Sequence, residues 1–167
     1  PPKVYSRMGQ AGSITAKAMI HPLLRTFTQW EEERINELFL RARGDLSDTF
    51  ALRFGEFQHL LNRELVSFLL ARDIFNDIFD TDRNLIVDKF EVVSVAILMS
   101  KLSTQKKVEY LFKLFDFNEK GFITTSESAL MFLTVVNAAQ KADGRPPKPE
   151  QSMLNKLVET LYGIYTR

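Results

Sequence analysis

Apolar residues recur along this chain at helical spacing, in short blocks separated by polar stretches. Over residues 29–40, Trp30, Ile35, Leu38 and Phe39 mark a core face. Glu31 to Glu33 set acids in the first turn, where they complement the helix dipole. An aromatic-rich block over 70–79 predicts a second helix, and the block over 90–98 a third. Over 107–115, Val108, Leu111, Phe112 and Phe115 follow the i, i+3, i+4, i+7 stripe of a fourth. Pro149 and Glu150 open a last pattern, with Met153, Leu157, Leu161 and Ile164 on one side. The predicted fold class is all-α.

Chemistry lies in the polar stretches. Residues 80–91 read Asp-Thr-Asp-Arg-Asn-Leu-Ile-Val-Asp-Lys-Phe-Glu. Counted from Asp80, side-chain oxygens fall at Asp80, Asp82, Asn84, Asp88 and Glu91, which are positions 1, 3, 5, 9 and 12. Ile86 offers its backbone carbonyl from position 7. Calcium takes six to eight oxygens in a loose cage, and a twelve-residue loop closed by a bidentate glutamate supplies them. The helical patterns on either side argue against a mere solvated turn. Position 6, where the chain turns with φ > 0, holds Leu85 instead of glycine, at a cost of roughly 1–2 kcal/mol. Four carboxylates repel one another around an empty cavity, so binding is expected to be weakened, not abolished.

The same spacing returns at Asp116, where the chain reads Asp-Phe-Asn-Glu-Lys-Gly-Phe-Ile-Thr-Thr-Ser-Glu. Asp116, Asn118, Thr124 and Glu127 supply oxygens, Phe122 a carbonyl, and Gly121 sits at position 6. Lys120 at position 5 puts an ammonium where a ligand belongs, so this second site is expected to be weaker, or structural alone. A third stretch opens at Asp45 and keeps Glu56 at position 12 and Leu52 at position 8. Phe50 and Arg53 occupy positions 6 and 9, so it is expected to have kept the fold and lost the metal. Loops 45–56 and 80–91 are expected to pair through Leu52 and Val87, with the third loop possessing no mate.

This arrangement resembles the EF-hand calcium-sensor superfamily, with a layout similar to the neuronal calcium sensor, calcineurin B and calaxin group. The resemblance rests on Phe79-Asp80, on Ser103, Lys107 and Phe112, and on Leu114-Phe115-Asp116 with Gly121-Phe122-Ile123. It covers roughly residues 29–163. It implies helix–loop–helix repeats with short β-contacts between loops, a degraded first hand, two close-spaced hands, and a longer connection to a fourth. The chain departs from that pattern at Leu85 and Lys120 and has no cysteine. The implied organisation is a basic arm over 1–28, a hand pair over 29–100, a third hand over 101–140, a Pro-rich linker over 141–149 and a helix over 150–167.

Composition narrows the function. At 167 residues and 45% hydrophobic, the chain can bury one substantial core or two small lobes. A net charge of +1 gives no case for nucleic acid. Zero cysteine excludes disulfides, thiolate metal sites and thiol catalysis. No apolar run approaches the ~20 residues of a membrane span. The opening Pro1-Pro2-Lys3, with no initiator Met, suggests part of a longer product. Lys3, Arg7, Lys17 and Arg25 make the arm basic, and it is expected to be extended, with Ile20, Leu23, Leu24 and Phe27 as apolar anchors for a partner. Met8-Gly9-Gln10-Ala11-Gly12-Ser13 matches the myristoylation pattern, but an internal glycine is no substrate, so a lipid anchor is not expected. His21 and His59 are the only histidines, no nucleophile or phosphate-loop motif occurs, and no enzyme is expected.

Two readings follow. A calcium sensor, with Mg²⁺ in the loop at rest as an option, would expose a groove for an amphipathic partner helix. Its candidate lining is Phe75, Phe79, Phe90, Val93, Ile97, Leu98 and Met99, each of which also reads as ordinary core. The other reading is a structural module of a cytoskeletal or axonemal assembly. The expected location is the cytoplasm, and for the second reading the cytoskeleton or a cilium.

Overall fold

The computed structural model describes residues 20–62 and 65–143. Its first element is a 3-10 helix, Pro22–Gln29, with proline at the start, where a missing N–H costs nothing. Leu24 and Phe27 from this helix are fully buried, and the Phe27 ring meets Trp30 edge-on at 4.8 Å. The expectation of an extended arm is thus corrected for residues 22–28. Their apolar residues anchor to the protein's own core, against the helix Lys89–Met99, instead of to a partner. Residues 1–19, with the myristoylation-like match, lie outside the described residues.

Three helix–loop–helix units follow. The first joins α1 (Glu32–Arg43) to α2 (Phe54–Leu61) across the strand β1 (Ala51–Leu52). The second runs from α3 (Phe68–Ile74) through a wider π-helical turn, Phe75–Phe79, and the strand β2 (Val87–Asp88) into α4 (Lys89–Met99). The third joins α5 (Thr104–Phe115) to α6 (Thr125–Ala142). Polar side chains start four of these helices. Ser67, Asp88, Ser103 and Thr124 each accept a backbone N–H from the first turn that follows.

β1 and β2 pair antiparallel, with Leu52 opposite Val87. Both side chains are buried, so the contact joins the first two loops and adds to the core together. Among the described residues, the third loop contributes no strand.

The core centres on α4. Phe90, Val92, Val93, Val95, Ala96 and Ile97 are all buried, so this helix is apolar around its circumference, and it touches α1, α5, α6 and the 3-10 helix. In α5 the buried residues are Tyr110, Leu111, Leu114 and Phe115. The predicted stripe is therefore corrected by part of a turn: Leu111 and Phe115 face inward, whereas Val108 is exposed and Phe112 is half-buried. Lys141 and Ala142, expected in a linker, form the last turn of α6 and are buried. Asp143 caps α6, and residues 144–149 of that linker and the expected helix over 150–167 lie outside the described residues.

Candidate metal centre

Loop 80–91 turns where the sequence places its turn. Leu85 adopts φ 65°, the left-handed conformation that glycine would hold without strain, and its side chain stays 67% exposed. Its amide donates to both oxygens of the buried Asp80 carboxylate at 3.2 Å. The Ile86 amide donates to Asn84 Oδ1 at 2.9 Å, and the Asn84 amide nitrogen to Asp82 Oδ2 at 2.8 Å. Asp88 caps α4 by accepting the Glu91 N–H at 2.9 Å. Of the six expected ligands, Asp80 is bound by the Leu85 amide, Asp82, Asn84 and Ile86 are linked to one another, and Asp88 belongs to the start of α4.

Glu91 stands apart. Its Oε2 lies 2.9 Å from Nζ of Lys141, and both side chains are largely buried. Burial pushes the Glu91 carboxyl above its ordinary value, and the Lys141 ammonium pulls it back toward ionisation. By its chemistry the donor set fits a hard divalent cation: four carboxylates, an amide and a carbonyl at the required spacing. The side chains are not gathered as a cage, however. Among the described residues, no three acidic or histidine side chains cluster closely enough to hold a metal ion. At loop 80–91, Asp82 accepts from the Asn84 side chain, Asp88 from the Glu91 amide, and Glu91 pairs with Lys141 on α6.

Loop 116–127 is organised differently. Gly121 takes the positive φ of 75° and its amide donates to Asp116 Oδ2 at 2.8 Å, while the Lys120 amide donates to Oδ1 at 3.1 Å. Glu127 folds back on its own loop, accepting from Phe117 N at 3.2 Å and from Thr124 N at 2.6 Å. Those hydrogen bonds, the ones with Thr124 first, hold its carboxyl below the usual range. Asn118 is exposed, and Asp116, Thr124 and Glu127 are held by amides of their own loop. In the first loop, Glu56 accepts the Arg53 amide at 2.8 Å and Asp45 pairs with His59 at 3.0 Å, both near the surface.

Cations from one unit close the loops of another. Lys89, buried after β2, donates to the carbonyls of Ala42 at 3.0 Å and Leu46 at 2.7 Å, where α1 ends. Its ammonium also faces the rings of Phe50 and Phe90 at 5.5 and 5.1 Å. Burial first, then the Arg43 guanidinium, lowers its affinity for a proton. Arg43 in turn donates to the carbonyls of Lys113 and Asp116 at the end of α5. Lys141 donates to the Phe79 carbonyl at 3.0 Å. Sequence reasoning missed all three; the available signal was a lysine or arginine at an otherwise apolar helical position.

The expected groove is closed. Phe75, Phe79, Phe90, Val93 and Ile97 are buried, and Leu98 and Met99 pack against the same core. In this structure they are core, with α6 packed along α4 and Phe75 and Phe79 on Phe57. Exposed apolar surface lies instead in an open cleft of about 680 Å³ beside Phe39, Val108 and Phe112.

The chain is similar to calcium-binding protein NCSA of Dictyostelium discoideum, with 23% identity over 105 residues. The match covers 63% of this chain and 56% of that relative, so the chain spans little more than half of the relative's length. No protein-family profile matches.

Proposed function

We propose that this protein is a non-catalytic calcium-binding module of the EF-hand type, with loop 80–91 as its main site. The observation that carries the reading is the turn itself. Leu85 sits at φ 65° with its amide on the Asp80 carboxylate, beside the Leu52–Val87 pairing that joins two such loops. A leucine tolerates that backbone only where the surrounding loop over-determines it. The distant similarity to a calcium-binding protein supports the same reading.

Asp80, Asp82, Asn84, the Ile86 carbonyl, Asp88 and Glu91 would hold the ion. When bound, it would supply positive charge among carboxylates that otherwise repel one another. Asp116, Asn118, Phe122, Thr124 and Glu127 are a weaker second set, with Lys120 in their midst. The function we assign is that of a sensor or adaptor acting on a partner protein.

A second reading is favoured by the Lys141–Glu91 pair and the buried aromatic set: a structural module of a larger cytoskeletal or axonemal assembly, stable without calcium. Fluorescence of the single tryptophan, Trp30, which packs on Phe27, separates the two. A sensor changes its emission at micromolar Ca²⁺, with or without millimolar Mg²⁺, and gains melting temperature. No response at millimolar Ca²⁺ leaves the structural module.

A further inference from the structure

α6 ends on a lysine that turns inward. Lys141 keeps 8% of its surface exposed, and its ammonium reaches the Phe79 carbonyl at 3.0 Å and Glu91 Oε2 at 2.9 Å. It also faces the Phe79 ring at 5.3 Å. Phe79 is the residue before loop 80–91, and Glu91 is the loop's last position. One side chain from the third unit therefore ties together both ends of the second unit's loop.

The equivalent glutamates behave otherwise. Glu127 and Glu56 accept hydrogen bonds from amides of their own loops. Glu91 is directed to a cation on a distant helix, and that helix packs along α4.

We propose that Lys141 is an internal competitor for the cation of loop 80–91: its ammonium holds the Glu91 carboxylate in the ion-free protein and releases it only when the last turn of α6 gives way. The inference rests on loop 80–91 being the calcium site. A carboxylate with one oxygen on an ammonium is held in that orientation and has part of its charge already neutralised, so it is a poorer bidentate ligand for a cation. An ammonium beside a doubly charged ion is also repelled by it. Ion binding and docking of the α6 terminus are thus linked equilibria, and the linkage is reciprocal. Anything that draws the end of α6 away tightens ion binding, and ion binding loosens the end of α6.

The test uses the full chain, CaCl₂ as the probe, and the variants Lys141→Met and Lys141→Arg. By titration calorimetry, Lys141→Met is expected to bind Ca²⁺ at least tenfold more tightly than the wild type, and Lys141→Arg to stay close to wild type. Amide hydrogen exchange over 138–142 of the wild type supplies a second measurement. Protection there is expected to fall about tenfold when Ca²⁺ is added, and this decides the matter alone if Lys141→Met does not fold. Equal affinity of wild type and Lys141→Met overturns the latch and leaves the calcium reading standing. Binding with undiminished protection over 138–142 does the same. Absence of binding by either protein overturns both.

Discussion

Nζ of Lys89 donates to the carbonyl of Leu46 at 2.7 Å, so the exit helix of the second unit closes the loop of the first. Arg43 of the first unit reaches the end of α5 in the third, and Lys141 of the third reaches Phe79 and Glu91 in the second. The three contacts run in a circle. Each supplies a cation to the C-terminal carbonyls of a helix, where unpaired acceptors and the dipole both favour positive charge.

Replacing Lys89 with Met keeps most of the stem over the Phe50 and Phe90 rings and removes the donor. The Ala42 and Leu46 carbonyls then lose a partner, which costs about 1–3 kcal/mol. Urea denaturation in the presence of chelator should show a lower midpoint with an unchanged slope. An unchanged midpoint would mean that the circle of cations is ornamental.

Lys141→Met or Glu91→Met alone strands a buried charge, and each is expected to cost about 3–5 kcal/mol without calcium. The double substitution leaves neither charge behind and should cost less than the sum of the two. Additive losses in the same denaturation experiment would show that the two side chains are not coupled.

Leu85→Gly relieves roughly 1–2 kcal/mol of left-handed strain, while the freer unfolded chain takes back about 0.5–1 kcal/mol. The side chain is mostly exposed, so little packing is lost. A small rise in melting temperature is expected. Gly121→Ala should do the opposite, although a Cβ at that position meets nothing within 4 Å, because its φ of 75° alone opposes a side chain. If both substitutions shift stability the same way, backbone strain is not what distinguishes the loops.

Much of this was legible from residue spacing. The oxygens at Asp80, Asp82, Asn84 and Asp88 locate the second loop, and the apolar residues Leu52 and Val87 locate the strand contact, because both patterns are local. What spacing conceals is long-range. Nothing near Glu91 in the chain shows that Lys141 will take its carboxylate, since that depends on how α6 lies over α4. Long-range packing likewise makes core of the candidate groove: Phe75 and Phe79 meet Phe57, and Phe90 meets Phe50 and Phe115. Leu24 and Phe27 are core residues in a stretch whose many cations give it the composition of a free arm. In α5, the i, i+3, i+4 rule fits two neighbouring stripes, and Tyr110 and Leu114 decided between them only on packing.

Lys120→Asp exchanges the ammonium in loop 116–127 for a carboxylate at a ligand position. Calcium stoichiometry is expected to rise from one to two per chain, or the affinity of the second site to rise at least tenfold. Equilibrium dialysis with radioactive calcium measures either. An unchanged stoichiometry and affinity would assign the closed loop to the backbone bonds of Glu127 and Asp116 instead.

The most direct measurement is calcium titration of the chelator-stripped full chain by calorimetry, wild type beside Asp80→Ala and Glu91→Gln. One saturable site in the wild type, lost in Asp80→Ala and strongly weakened in Glu91→Gln, is the predicted result. A wild type that takes up no calcium at millimolar concentration, or the same isotherm for all three proteins, would contradict loop 80–91 as the site.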